Sequence, residues 1–129
     1  MIYLDSVLCV YAIESTTWRG DRTKAVLRDD QAYCVSQLVL MECLVQPLKA
    51  ANLALEERYR RYLGGMTMID ITPEVFERAA HVRASTGLKT ADALHLAAAL
   101  AGGCDAVWTA DAEFAKRSGG YAIDVLADA

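Results

Sequence analysis

Short apolar runs alternate with polar and turn-forming residues along the chain, and this alternation predicts strands and helices in turn. Residues 2–4 are a β-type apolar run, and the largely apolar residues 7–14 that follow fit a buried helix. Charged side chains surround a few apolar ones over 19–29, which is typical of a helix that faces solvent. Residues 33–35 are apolar again and predict a second strand.

Capping residues, prolines and glycines indicate where the other elements begin and end. Ser36 is predicted to cap a helix that starts at Gln37, and Pro47 is expected to kink or end that helix. Ser6 and Thr90 are candidate caps for the helices that follow them. The remaining predicted elements are helices over 53–63, 73–85, 91–101 and 111–116 and strands over 66–71, 106–109 and 121–125.

The predicted order of elements indicates the fold class. Strands that alternate with helices predict an α/β protein with a parallel sheet and helices on both of its faces. Neither a repeat nor a linker interrupts the sequence, so we expect a single domain over 1–129.

Composition and charge narrow the class of protein. With 54% hydrophobic and 23% charged residues, the sequence is typical of a globular protein. The net charge of −4 argues against a general basic nucleic-acid binder, although an enzyme can still hold RNA through a few Arg and Lys. The four cysteines form no CxxC pair, so we expect buried, reduced thiols. The apolar N-terminus is interrupted by Asp5 and lacks a basic segment, so we expect a cytoplasmic protein without a membrane span.

Four acidic residues occupy informative positions relative to the predicted elements. Asp5 directly follows the first strand, Glu42 lies in the second turn of the helix after the second strand, Asp92 lies in the first turn of its helix, and Asp111 comes two residues after a strand. Because the carboxyl ends of parallel strands share one edge, these acids are expected to face one cleft. Clustered carboxylates need a counter-cation, and oxygen ligands favour Mg²⁺ or Mn²⁺ over zinc.

Each acid alone also has a purely structural interpretation. Asp5 can cap a helix, Asp92 can favour a helix N-terminus, and Asp111 can be a turn residue. Glu42 is harder to explain in this way, since it stands in the middle of an apolar run. The occurrence of all four at one sheet edge favours a functional site.

The segments that carry these acids resemble the PIN-domain family, and their order and spacing are similar to those of its VapC-type toxins. The segments are 2–6, 36–42, 89–99 and 107–114, so the resemblance covers nearly the whole chain. It implies a three-layer α/β/α fold with a mostly parallel sheet of four to five strands. It further implies an Mg²⁺- or Mn²⁺-dependent endoribonuclease that acts on structured RNA such as tRNA or rRNA and is inhibited by a cognate antitoxin. The catalytic and metal-binding residues would be Asp5, Glu42, Asp92 and Asp111.

Two positions depart from the family pattern. Val7 stands where many relatives have Asn, and Ala110 stands where Asn usually precedes the last Asp. Both changes remove a polar neighbour rather than a ligand, so they bear on geometry and rate more than on the metal site.

Several other residues are candidates for the site. His95 comes three residues after Asp92 and can face the cleft, although its apolar surroundings favour a packing role. His81 is expected to be solvated. Ser6 and Thr109 can either bond a ligand carboxylate or serve a cap or turn. Lys89 is well placed to contact phosphate.

Two helical segments outside the acid cluster suggest surfaces for other molecules. The basic and aromatic residues over 58–62 can hold RNA, but a solvated helix face is the preferred interpretation. Residues 37–63 carry much apolar surface, and we expect a homodimer or a partner there, covering Leu38, Leu44, Val45, Leu48, Leu53 and Leu55.

Three other functions compete with a nuclease. A receiver-type phosphorelay domain needs an acidic pair after the first strand and a Lys after the last, and both are missing. A haloacid-dehalogenase-like phosphatase needs Asp-x-Asp, which Asp5-Ser6-Val7 does not supply. A non-catalytic PIN-like module that binds RNA or protein remains the alternative, although all four acids are present.

Overall fold

A computed structural model describes residues 1–28 and 30–127 of the chain. Five strands form one sheet in the order β3-β2-β1-β4-β5, and every neighbouring pair is parallel. This confirms the predicted α/β class with a parallel sheet of four to five strands. The strands are β1 (Ile2–Leu4), β2 (Tyr33–Ser36), β3 (Thr67–Ile69), β4 (Ala106–Thr109) and β5 (Ala122–Asp124).

Helices connect these strands and cover the sheet. Ile2, Tyr3 and Leu4 of the central strand are all buried, and because successive strand residues point to opposite faces, both faces of the sheet are covered. This is the expected α/β/α arrangement. The helices are α1 (Ser6–Glu14), α2 (Trp18–Val26), α3 (Gln37–Lys49), α4 (Leu53–Gly64), α5 (Pro73–Thr86), α6 (Thr90–Ala101) and α7 (Ala112–Arg117).

Most predicted helix and strand boundaries agree with the structure within a few residues, and α5 shows why. Thr72 caps its N-terminus by accepting from the Val75 amide, and Pro73 occupies the first helical position. Gly87 ends the helix at φ 71°, a left-handed conformation that side chains with a Cβ disfavour. The predicted helix over 19–29 is shorter in the structure, and its last expected position, Asp29, lies outside the described residues.

Pro47 does not end α3, so one of the two expectations for this residue is wrong. It lies inside the helix, which continues to Lys49. The missing amide of proline removes one hydrogen bond, but the Ala50 amide still donates to the Gln46 carbonyl and closes the last turn.

Ser6, Ser36 and Thr90 do not cap their helices as predicted. Ser6 and Thr90 are instead the first helical residues, and Asp5 and Lys89 take the preceding position without a side-chain capping bond. Ser36 does precede its helix, but its hydroxyl bonds Tyr3 rather than the helix backbone. The side chains at these helix starts are therefore available for other contacts.

The apolar residues of α3 and α4 divide between the core and the surface. Leu44 is only 7% exposed and belongs to the core, so it is not part of a surface for a partner, contrary to expectation. Exposed apolar side chains remain nearby, namely Met41, Val45, Leu48 and Leu53. All four cysteines are buried free thiols, as predicted. Among the described residues, no helix is both long and apolar enough to cross a membrane.

Candidate active site

Asp5 lies where β1 passes into α1, at the carboxyl edge of the sheet. Its backbone holds the position before the helix, yet its carboxylate makes no capping bond, so the cap interpretation does not account for this side chain. Instead, Thr109 at the end of β4 donates a hydrogen bond to Asp5 Oδ2 over 2.7 Å. The residue is only 7% exposed, and a carboxylate so buried needs such partners.

Glu42 reaches the same edge from α3 and meets His95 of α6 there. His95 Nε2 lies 2.7 Å from Glu42 Oε1 and 3.8 Å from Asp5 Oδ1. One ligand atom of each of these three residues lies within 4.8 Å of the others. The fold thus gathers two carboxylates and an imidazole from three separate elements.

The electrostatics of Glu42 reflect this neighbour. Burial alone would raise its pKa, but the hydrogen bond and the charge interaction with His95 outweigh burial. The pKa of Glu42 is therefore lowered, which keeps the carboxylate ionised.

Asp92, in the first turn of α6, has the opposite tendency. Burial and then the negative charges of Asp5 and Asp111 raise its pKa from 3.8 to about 6. This mutual repulsion among three carboxylates is what a bound cation would relieve.

Asp111 has a structural function that is evident from its contacts. It precedes α7, and its Oδ1 accepts hydrogen bonds from the amides of Glu113 and Phe114 at 2.9 and 3.1 Å. Asp111 therefore caps α7, a structural function that the turn interpretation from the sequence did not include. It also lines a cavity of about 200 Å³ together with Asp92, Lys89 and Arg117, so its carboxylate stands at the same edge.

The sequence predicts that the four acids share one edge, but it favours a packing role for His95 over one that faces the cleft. His95 is indeed buried and satisfied, at 1% exposure, but its Nε2 faces the acids. Its spacing of three from Asp92, which places both residues on one helix face, was the available signal. Arg117 was also missed, since only the fold brings it beside Lys89.

The basic segment over 58–62 behaves as a structural helix face. Arg60 and Arg61 pair with glutamates one turn earlier on α4, and Arg58 donates to the Ile13 carbonyl. Tyr59 is buried and donates to Glu14. The pairs of Arg60 and Arg61 agree with the preferred interpretation of a solvated helix face, whereas Tyr59 belongs to the core.

Oxygen donors dominate the cluster, so the donor set fits a hard divalent cation. Asp5 and Glu42 supply carboxylates within ligand range of one another. Asp92, whose pKa is raised by burial and then by the charges of Asp5 and Asp111, adds a third carboxylate. Mg²⁺ and Mn²⁺ prefer such ligands.

Solved structures of other proteins share this fold. A toxin–antitoxin complex from Klebsiella pneumoniae matches with a TM-score of 0.81 at 21% identity, covering 97% of this chain and 98% of that one. VapC20 of Mycobacterium tuberculosis, described as a sarcin–ricin loop cleaving toxin, matches with a TM-score of 0.78 at 15% identity, covering 96% and 98%. FitAcB of Neisseria gonorrhoeae matches with a TM-score of 0.72 at 16% identity, covering 97% and 98%.

Sequence comparison identifies the family directly. No curated protein sequence is significantly similar to this chain. The model of the PIN domain, however, matches residues 2–120. Since that match spans nearly the whole sequence, the chain belongs to the PIN-domain family.

Proposed function

We propose that this protein is a metal-dependent endoribonuclease that cleaves structured RNA, such as tRNA or rRNA, as the toxin of a toxin–antitoxin pair. The observation that carries the proposal is the gathering of acids from distant parts of the sequence at one sheet edge, with Asp5 and Glu42 in ligand range. Membership in the PIN-domain family supports it.

The metal would be Mg²⁺ or Mn²⁺, held by Asp5, Glu42 and Asp92, with Asp111 at the rim of the same cavity. A divalent ion held by carboxylates supplies a water of lowered pKa and offsets charge on a scissile phosphate. All four acids are the proposed catalytic residues.

The chain's own side chains would prepare the site for such a substrate. The Thr109 hydroxyl holds Asp5 and also accepts a hydrogen bond from the Asp111 amide at 3.1 Å, so one side chain orders two of the acids. Lys89 and Arg117 line the cavity beside the acids and can contact phosphate oxygens of RNA. These two cations would supply local attraction that the net charge of −4 does not.

The substrate and partners follow from the structural relatives. One of them is described as a toxin that cleaves the sarcin–ricin loop, and another is a toxin–antitoxin complex. By analogy, we propose a structured RNA as substrate and a cognate antitoxin as inhibitor. The exposed apolar side chains of α3 and α4 support a homodimer as the proposed assembled form, acting in the cytoplasm.

Cleavage of purified RNA tests the proposal. Purified protein should cleave tRNA or rRNA at discrete sites in Mg²⁺ or Mn²⁺, and EDTA should stop cleavage without unfolding the protein. Asp5→Asn should lose cleavage, whereas Asp21→Asn, which changes an exposed acid on α2, should not. Metal-independent cleavage, or full activity of Asp5→Asn, would contradict the metal mechanism. RNA binding without cleavage would favour the non-catalytic module.

A further inference from the structure

A chain of hydrogen bonds runs from the core of the protein to the acid cluster. Ser36 Oγ lies 2.7 Å from Tyr3 Oη, and Tyr3 Oη lies 2.7 Å from His95 Nδ1. His95 Nε2 then lies 2.7 Å from Glu42 Oε1. The first three residues are buried, whereas the Glu42 side chain is 31% exposed.

The hydrogen positions along this series of hydrogen bonds can be assigned starting from the Glu42 carboxylate. An ionised carboxylate only accepts hydrogen bonds, so the contact with Glu42 requires a proton on His95 Nε2. The other tautomer would set a nitrogen lone pair against a carboxylate oxygen at 2.7 Å, which is repulsive. When the imidazole is neutral, Nδ1 is an acceptor that the Tyr3 hydroxyl can donate to, and Tyr3 Oη can in turn accept from Ser36.

The contact with His95 restricts the position of the Glu42 carboxylate. A glutamate has several rotatable bonds, and a partly exposed one samples many positions unless a contact selects one. His95 is buried on α6 and contacts the ring and the hydroxyl of Tyr3, so it cannot shift easily. A donor fixed in the core can therefore order a carboxylate at the surface of the cleft before any ligand arrives.

We propose that His95 is a positioning residue, whose Nε2–H holds one oxygen of Glu42 and leaves the other oxygen as a single ligand for the divalent cation. This inference rests on the proposed function, because it assumes that Glu42 binds the metal. It assigns His95 no direct contact with metal or RNA. Tyr3 and Ser36 complete the arrangement by fixing the tautomer of His95.

Two substitutions at one position separate this function from simple packing. In His95→Gln the amide nitrogen can replace Nε2 and still donate to Glu42. In His95→Asn the shorter side chain replaces Nδ1 and does not reach Glu42. His81→Gln changes an exposed histidine and serves as the control.

Mn²⁺ affinity, measured by calorimetric titration well below the melting temperature, is the primary measurement. We expect His95→Asn to weaken Mn²⁺ binding about tenfold or more, as loss of a partner to a metal ligand commonly does. His95→Gln should bind Mn²⁺ nearly as tightly as the wild type, although its melting temperature can fall. Equal affinities of His95→Asn and His95→Gln would overturn the proposal.

Spectroscopy of the unmodified protein tests the proposal even if a variant fails to fold. Nitrogen NMR of the metal-free wild type should show His95 protonated at Nε2 and unprotonated at Nδ1. Pulsed EPR of the Mn²⁺ form should show no nitrogen hyperfine coupling from His95. The opposite tautomer would overturn the proposal because Nε2 could then not donate to Glu42. A nitrogen coupling would overturn it by showing that His95 is a direct ligand of Mn²⁺.

The same measurements distinguish this inference from the proposed function. A wild type that binds Mn²⁺ through Asp5 but cleaves no RNA contradicts the proposed nuclease activity. The Mn²⁺ affinities of the two His95 variants then still test whether His95 positions Glu42. Normal cleavage with equal Mn²⁺ affinity in both His95 variants contradicts only the positioning. A wild type that binds no Mn²⁺ overturns both.

Discussion

The Thr109 hydroxyl donates to Asp5 Oδ2 over 2.7 Å, joining residues that stand 104 positions apart in the sequence. The contact exists because β1 and β4 are neighbours in the sheet, with Leu4 opposite Trp108. The next residues, Asp5 and Thr109, therefore lie opposite each other at the carboxyl edge of the sheet.

Thr109→Val should lower both stability and metal affinity. Valine has nearly the same shape, but it leaves the buried Asp5 carboxylate without this donor, which should cost about 1–3 kcal/mol of unfolding free energy. Thr109→Ser keeps the hydroxyl and is the matched control. Urea unfolding measures the difference, and equal stability of the two variants would contradict the proposed importance of the bond.

Substitutions of Asp111 should distinguish its contribution as a helix cap from the contribution of its negative charge. Asparagine also caps helices, so Asp111→Asn should leave stability nearly unchanged, whereas Asp111→Ala should lose about 1 kcal/mol. For RNA cleavage we expect Asp111→Asn to have a smaller effect than Asp5→Asn, because part of its carboxylate is engaged by α7. A larger effect would place Asp111 among the principal metal ligands.

The raised pKa of Asp92 predicts a pH dependence of stability in EDTA. Between its ordinary pKa of 3.8 and the folded value of about 6, the folded protein holds a proton that the unfolded chain releases. Stability should therefore decrease as pH rises through this interval. Asp92→Asn removes the effect, so its melting temperature should exceed that of the wild type above about pH 6 but not below about pH 4. A pH-independent difference would exclude this origin.

Added metal should reverse that loss. Because only the folded state gathers Asp5, Glu42 and Asp92, Mg²⁺ or Mn²⁺ should raise the melting temperature of the wild type at neutral pH. The increase should be much smaller in Asp5→Asn and unchanged in Asp21→Asn. Differential scanning fluorimetry over a metal titration gives the comparison, and no shift in the wild type would argue against a metal site.

The exposed apolar side chains of α3 and α4 predict self-association. Leu48 is 56% and Leu53 is 76% exposed, which is unusual for leucines on adjacent helices. Leu48→Glu should shift a homodimer toward monomer at tens of micromolar, measured by light scattering, while Lys24→Glu on α2 should not. A wild type that is monomeric under these conditions would contradict the homodimer.

The sequence allowed the sheet and the positions of the acids to be predicted for the same physical reason. Asp5 and Asp111 follow strands whose apolar composition is evident, and parallel strands end at one edge. His95 could not be assigned similarly, since its neighbours on α6 are apolar and its contacts come from β1 and α3.

Local capping rules failed for a related reason. Ser36 has a good sequence for a helix cap, but its hydroxyl bonds Tyr3, which lies 33 positions away. A contact of this kind depends on how β1 and β2 are aligned, and that alignment is a property of the whole sheet. Tertiary contacts override local preference most often where side chains meet at the site.

The central place of β1 has a consequence for how the protein is made. β1 is synthesised about a hundred residues before its partner β4 and the Thr109 hydroxyl. A nascent chain that has not yet produced residue 109 lacks the side chain that orders Asp5. The acid cluster is therefore ordered only after residue 109 has been synthesised, and a truncated product that stops before this residue lacks the bond that holds Asp5.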